Sequence, residues 1–161
     1  MNRPDVSIAA GATIAAAPSD VFDLLGDLER HRDLTDQGMR ILGLQGPPGR
    51  PTGGLVELRG PGGLTRVART RVQGAEPHSR LWGTAETADG ARALLEWRVR
   101  PQGDRTHVEV RLDVHAVTWR DRTLLRLGGR AWLRARLRAA LDRLAQNVTS
   151  SEAIPAAALA S

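Results

Sequence analysis

The order in which hydrophobic periods follow one another constrains this chain most. Val6, Ile8, Ala10, Ala12 and Ile14 alternate with Ser7, Ala9, Gly11 and Thr13, which is a period-two strand with one apolar face. A short helix follows at once. Pro18 opens it, where a missing N–H is harmless, and Ala17, Val21, Leu24, Leu25 and Leu28 recur at helical spacing. Strand-and-turn units then fill the middle of the chain. One long amphipathic helix, Arg120 to Val148, closes it. That order predicts an α+β domain, a curved antiparallel sheet wrapped around a C-terminal helix with a cavity between them.

The middle units read as strands at Arg40 to Leu44, Leu55 to Arg59, Leu64 to Val72, Arg80 to Thr87, Ala91 to Arg100 and Thr106 to Ala116. Gly60-Pro61-Gly62-Gly63 and Asp89-Gly90 are hairpin turns. A second short helical piece is expected over Arg30 to Gln37. In the last pair, Ala91, Ala93, Leu95, Trp97 and Val99 form one apolar face, and Thr106, Val108, Val110, Leu112, Val114 and Ala116 another. Their alternates are mostly charged, as a sheet covered on one side requires.

The last helix carries Leu125, Gly129, Leu133, Leu137, Leu141, Leu144 and Val148 on one stripe, widened by Trp132 and Ala140. At 1.5 Å per residue it spans roughly 43 Å, enough to cross the sheet. Residues 1–148 are expected to form one domain, with 149–161 an Ala/Ser-rich disordered tail.

Composition removes several chemistries. The 161 residues include no cysteine, tyrosine or lysine, so thiolate, Schiff-base and tyrosine acid catalysis are unavailable. All 23 basic residues are arginine, while residues with AT-rich codons are scarce. The pI near 11.3 therefore reflects coding composition as much as function. Residues 120–143 hold eight arginines and two aspartates, a net +6, against +5 for the whole chain. The positive field belongs to the last helix. No aromatic platform accompanies it, and no nucleic-acid partner is expected. No run approaches the roughly 18 apolar residues of a membrane span. Arg3 followed by residues 6–17 has the outline of a signal peptide, but Gly, Ser and Thr interrupt it and Asp5 spoils the basic flank. That segment is read as a strand and the protein as cytoplasmic.

Four motifs, in order, resemble one family. They are Ala12-Thr13-Ile14-Ala15-Ala16-Ala17-Pro18-Ser19-Asp20-Val21-Phe22, then Gly26-Asp27-Leu28-Glu29-Arg30-His31, then Val72-Gln73-Gly74-Ala75-Glu76-Pro77-His78-Ser79-Arg80-Leu81. Last comes Trp97-Arg98-Val99-Arg100-Pro101 with Gly103-Asp104-Arg105-Thr106. Across residues 6–148 the chain resembles the SRPBCC superfamily, also called START-like or helix-grip, which includes polyketide cyclases and dehydrases and lipid carriers. The resemblance implies a seven-stranded sheet gripping the C-terminal helix and a ligand cavity between the two.

Pockets of this kind are mostly apolar, with a few polar groups that fix orientation. If Leu64, Ala68, Thr70 and Val72 face inward, Arg66 faces inward with them and can hold a carboxylate or enolate oxygen. The opposite register points Arg69 and Arg71 into the cavity instead. Trp97 and Trp82 offer flat apolar walls with one N–H donor each. Gly128-Gly129 breaks the helix at a cost of roughly 2 kcal/mol against alanine, which either leaves room for a ligand or allows a kink or close packing. Trp132 and Leu133 follow on the sheet-facing side. The ligand-binding candidates are thus Arg66, Trp82, Trp97, Gly129, Trp132 and Leu133.

His107 and His115 fall on the polar face, and Asp113 with His115 lacks a third metal ligand or a nucleophile. His31 and His78 lie near a helix end and in a turn. No metal, cofactor or catalytic residue is assigned. The expected function is binding of a hydrophobic, lipid- or polyketide-like small molecule. Two alternatives stay open. One is a polyketide cyclase/dehydrase-type enzyme that shapes a bound substrate. The other is a module that meets a protein or an anionic membrane surface through its arginine-rich helix.

Overall fold

A computed structural model describes residues 3–34, 38–60, 63–116 and 118–153. Seven strands form one antiparallel sheet in the order β1-β7-β6-β5-β4-β3-β2. They are β1 (Val6–Ile14), β2 (Met39–Gln45), β3 (Gly53–Arg59), β4 (Thr65–Glu76), β5 (Arg80–Thr87), β6 (Arg92–Gln102) and β7 (Arg105–His115). The first and last strands pair along their whole lengths, Val6 opposite Val114 and Ile14 opposite Thr106. The helices are α1 (Pro18–Gly26), α2 (His31–Leu34), α3 (Trp119–Leu124) and α4 (Arg130–Ala153). No described helix is long and apolar enough to cross a membrane.

The period-two faces dictate the layering. Val6, Ile8 and Ile14 of β1, Val108 and Val110 of β7, and Trp97 and Val99 of β6 are buried on one side of the sheet. Val21, Leu24 and Leu25 of α1 and Leu137, Leu141, Leu144 and Val148 of α4 pack with them in one apolar core. Thr106 is fully buried in this core, and its hydroxyl donates to the Ala16 carbonyl at 2.6 Å. The core lies under the β1-β7-β6 half of the sheet, and α4 runs chiefly along β1, with α1 and α2 against it.

The other half is richer in small groups. Gly54, Ala68, Thr70, Gly83 and Ala85 occupy inner positions of β3, β4 and β5 alongside Val56, Leu58, Val72 and Leu81, as their cross-strand pairing shows. Here the strands approach closely. A Cβ on Gly83 would lie 2.7 Å from the Arg71 carbonyl oxygen, and one on Gly54 would overlap that of Gly43. Glycine at such points permits the sheet to bend sharply. A bulge between Val72 and Gly74 adds a further change of direction in β4.

The C-terminal helix is not continuous. Leu125–Gly129 form a π-helical turn, and Leu127 (φ −82°, ψ 25°) and Gly128 (φ 122°) leave helical geometry. Only glycine adopts such a φ readily. A Cβ on Gly129 would lie 2.8 Å from the Leu124 carbonyl oxygen. The two glycines therefore serve a kink and a close backbone approach, and the single expected helix becomes α3 and α4. At the far end, α4 runs to Ala153, so 149–153 are helical and the expected tail is shortened there. Residues 154–161 of that tail lie outside the described residues. So do the end of the second helical piece at 35–37 and the turn residues 61–62.

Candidate functional site

The inner face of β4 carries Arg66, Ala68, Thr70 and Val72 in one phase, while Val67, Arg69 and Arg71 are exposed on the other side. Leu64 precedes the strand and is exposed. Arg66 reaches across toward the start of α3. Its Nη2 donates to Asp121 Oδ1, and its Nη1 lies 3.4 Å from Asp89 Oδ2 in the β5–β6 turn. Asp121 also accepts from the Thr118 hydroxyl at 2.7 Å, while its own backbone N–H donates to that hydroxyl at 3.2 Å. Thr118 is thus the N-cap of α3.

This cluster holds its charges firmly. Burial alone would raise the Asp121 carboxyl, but the Arg66 and Thr118 hydrogen bonds and the Arg66 charge together keep it below the usual carboxylate range. The bond to Asp121 in turn raises Arg66. Among the described residues, Asp121 is the only buried side chain of α3. A second tie joins Arg122 Nε to Asp5 Oδ1 at 3.2 Å, and Asp5 Oδ2 accepts from the Ala116 N–H at 2.8 Å. Polar links therefore hold α3 against the sheet, whereas apolar packing holds α4.

Beside this latch, Val72, Leu95 and Leu112 of the sheet and Leu125 and Leu133 of the helix are half-buried against the margin of the core. They form the partly buried rim of the core on its sheet and helix sides. Such a surface can take up apolar groups, and Arg66, Asp121 and Asp89 supply one ionic edge.

The six sequence-predicted residues divide accordingly. Arg66 and Leu133 lie on this margin. Trp97 shares the inner face but is only 7% exposed and packs within the core. Trp132 is half-buried beneath Arg136, whose guanidinium carbon is 5.2 Å from its ring centre. Gly129 contributes backbone geometry. Trp82 lies on the opposite face of the sheet: it pairs across from Glu96, while Leu81 pairs with Trp97. There it stacks under the Arg80 guanidinium at 4.6 Å and covers Gly74. The two tryptophans on neighbouring strands thus do not share a pocket, because strand alternation separates them.

Three features escape a reading of the sequence. One is Asp121, signalled only by the Thr118-x-x-Asp121 spacing of a helix start. The second is Glu96, buried on the outer face and bound by Arg98 Nε at 2.6 Å and Arg80 Nε at 2.8 Å. Those arginines outweigh its burial and lower its carboxyl below the ordinary range. The third is His31. Instead of facing solvent it is half-buried, and its Nε2–H donates to the Leu25 carbonyl at 2.7 Å. Burial lowers its pKa, so the ring is held neutral. Among the described residues, no group of three His, Cys, Asp or Glu side chains is placed to share a metal ion.

A shallow surface depression of about 420 Å³ lies away from this margin, between residues 15–18 and 103–105. Three alanines, Pro18, Gly103, Asp104 and Arg105 line it.

Comparison with known proteins places the fold. A START superfamily protein from Mycobacterium smegmatis superposes with a TM-score of 0.63 at 18% identity, covering 89% of this chain and 97% of that one. A protein from Thermus thermophilus gives 0.67 at 17% identity, over 91% and 99% of the two chains. DynU16, from the dynemicin biosynthetic locus, gives 0.61 at 17% identity, over 92% of this chain and 49% of that one. No curated protein sequence matches the chain. The model of the family described as "Polyketide cyclase / dehydrase and lipid transport" matches residues 5–149. With its seven-stranded antiparallel sheet and C-terminal helix, this chain belongs to that polyketide cyclase/dehydrase and lipid transport family.

Proposed function

We propose that the protein binds a hydrophobic small molecule between the small-residue half of its sheet and the α3–α4 segment, and that it acts as a carrier in the cytoplasm. One observation carries this reading. Of β3, β4 and β5, only Leu81 joins the packed core, with Val72 partly buried against it; between Leu81 and buried Val56 the inner sheet face is Gly54, Ala68, Thr70, Gly83 and Ala85, on the side from which Arg66 reaches the kinked helix. Small groups facing a bent helix would leave room for a ligand, which Val72, Leu95, Leu112, Leu125 and Leu133 would line with hydrocarbon. Burying an apolar ligand there is worth about 25 cal/mol per Å² of apolar surface removed from water.

Binding is favoured over turnover because the ionic cluster at this margin is already internally paired. Arg66 is engaged by two carboxylates, and Asp121 by Arg66 and Thr118. A general base must reach the proton it takes, and Asp121 has its oxygens directed at its own partners. Arg66 retains a partly exposed guanidinium and is the group that would orient a carbonyl or hydroxyl of the ligand. Trp97, Trp132 and Leu133 would contribute walls rather than chemistry.

Native mass spectrometry of protein purified from its own host tests this. A co-purified apolar molecule, released intact on denaturation, is expected. Adducts absent from every preparation, together with no uptake of an apolar dye, would overturn the binding reading. Recovery of a cyclised or dehydrated product from an added linear polyketide-like substrate would replace the carrier with an enzyme.

A further inference from the structure

The outward face of α3 carries an apolar stripe that no described residue covers. Trp119, Thr123 and Leu127 are spaced by four residues, so they stack along one side of the segment. Trp119 is 72% and Leu127 79% exposed, and Leu124 beside them is also exposed. The opposite side carries buried Asp121 and half-buried Leu125 toward the sheet. Large apolar side chains displayed this fully, and in register, mark a contact surface rather than scattered exposure. The π-helical turn and the kink at Gly128 put Leu127 at the break between α3 and α4.

Charge identifies the occupant. Arg120, Arg122, Arg126 and Arg130 flank the stripe and are exposed or half-exposed. From Thr118 to Leu141 the only acidic residue is Asp121, which is turned inward to Arg66. The Arg120 guanidinium lies 5.7 Å from the Trp119 ring centre. A tryptophan and leucines bordered by arginines, without a competing carboxylate, match a bilayer interface: ring and alkyl groups enter at headgroup depth while guanidinium groups meet lipid phosphate. We infer that α3 with the following turn docks this protein on an anionic lipid surface, with Trp119 and Leu127 inserted and Arg120, Arg126 and Arg130 at the phosphates. None of these side chains lines the sheet–helix space, so docking and cavity binding stand or fall separately.

Co-sedimentation with ligand-free vesicles tests the surface. The full chain is mixed with phosphatidylcholine vesicles, and with vesicles containing about 30% phosphatidylglycerol, at an ionic strength of about 0.1 M. Binding is expected on the anionic vesicles and not on the neutral ones. Trp119→Ser with Leu127→Ser should weaken it by about tenfold or more, through loss of apolar insertion. Arg120→Gln, Arg126→Gln and Arg130→Gln together should weaken it by about a hundredfold. None of the five side chains is buried, so unchanged melting temperatures are expected and confirm that the variants are folded. Equal binding to neutral vesicles, or no binding to either kind, overturns the inference. So does an unchanged affinity for the apolar double variant alongside a loss in the arginine variant, which means adsorption by charge alone. A concentration-dependent dimer that the double variant abolishes, without vesicle binding, would assign the face to a second copy of the chain.

Discussion

Breaking the Arg66–Asp121 latch should free α3 while leaving the sheet and α4 folded. Asp121 has a 7% exposed side chain and is held by Arg66 and the Thr118 hydroxyl. Hydrogen bonds to a charged group contribute about 1.5–3 kcal/mol when buried. The Arg66 side chain is 39% exposed, so screening reduces its share to about 1 kcal/mol. The Thr118 bond adds about 1 kcal/mol. Asp121→Ala should therefore destabilise by about 2 kcal/mol, and a double-mutant cycle with Arg66→Met should show a coupling of about 1 kcal/mol. Urea unfolding measures both, and hydrogen exchange should place the loosened amides in 118–127 with residues 137–148 still protected. The coupling also has a pH signature. Asp121 titrates below its unfolded value, so its contribution is complete above about pH 4 and disappears as pH falls through the lower folded value. A coupling below about 0.3 kcal/mol at neutral pH, or exchange that accelerates equally along α4, would refute the view that α3 is held by polar links alone.

Three further outcomes follow from single positions. Gly128→Ala forces a side chain to φ 122° and should destabilise by about 1–2 kcal/mol, a fall of roughly 3–6 °C in Tm; an unchanged Tm would mean the kink is not held in solution. His31 is neutral in the folded protein because burial lowers its pKa, so stability is complete above its unfolded value of about 6.5 and falls as pH drops below it. His31→Gln should flatten the melting-temperature profile between about pH 7 and pH 5, and an equally steep profile would place the titration elsewhere. Trp82→Leu should leave uptake of an apolar ligand unchanged while removing the Arg80 stacking contact; a large loss of uptake would put Trp82 in the pocket after all.

The strands and the layering were legible because they rest on period two, which is read directly from residue order. Val108, Val110 and Thr106 alternate with His107 and Glu109 as cleanly in the structure as in the sequence. The same rule could have separated Trp82 from Trp97, but that requires knowing which residue of β5 faces which residue of β6. Register is a tertiary property, fixed here by the Asp89-Gly90 turn and the pairing of Leu81 with Trp97. The helix break was half legible. Two glycines announced an interruption, yet a positive φ at Gly128 and a close carbonyl at Gly129 are facts of three-dimensional packing. The latch was least legible. Its partners Arg66, Asp89 and Asp121 lie on β4, a turn and α3, and no local pattern joins residues so far apart. His31 illustrates the same limit, since its burial depends on α2 packing against α4.

Carbon-13 methyl spectra, recorded while an apolar probe such as a medium-chain fatty alcohol is titrated in, test the central claim most directly. A ligand seated between the sheet and the kinked helix should shift the methyls of Val72, Leu95, Leu112, Leu125 and Leu133 together and saturably, with Leu141 and Leu144 in the packed core and exposed Leu94 unmoved. Shifts confined to Leu124 and Leu127, or no saturable shift at the five margin residues, would contradict a binding site at that interface.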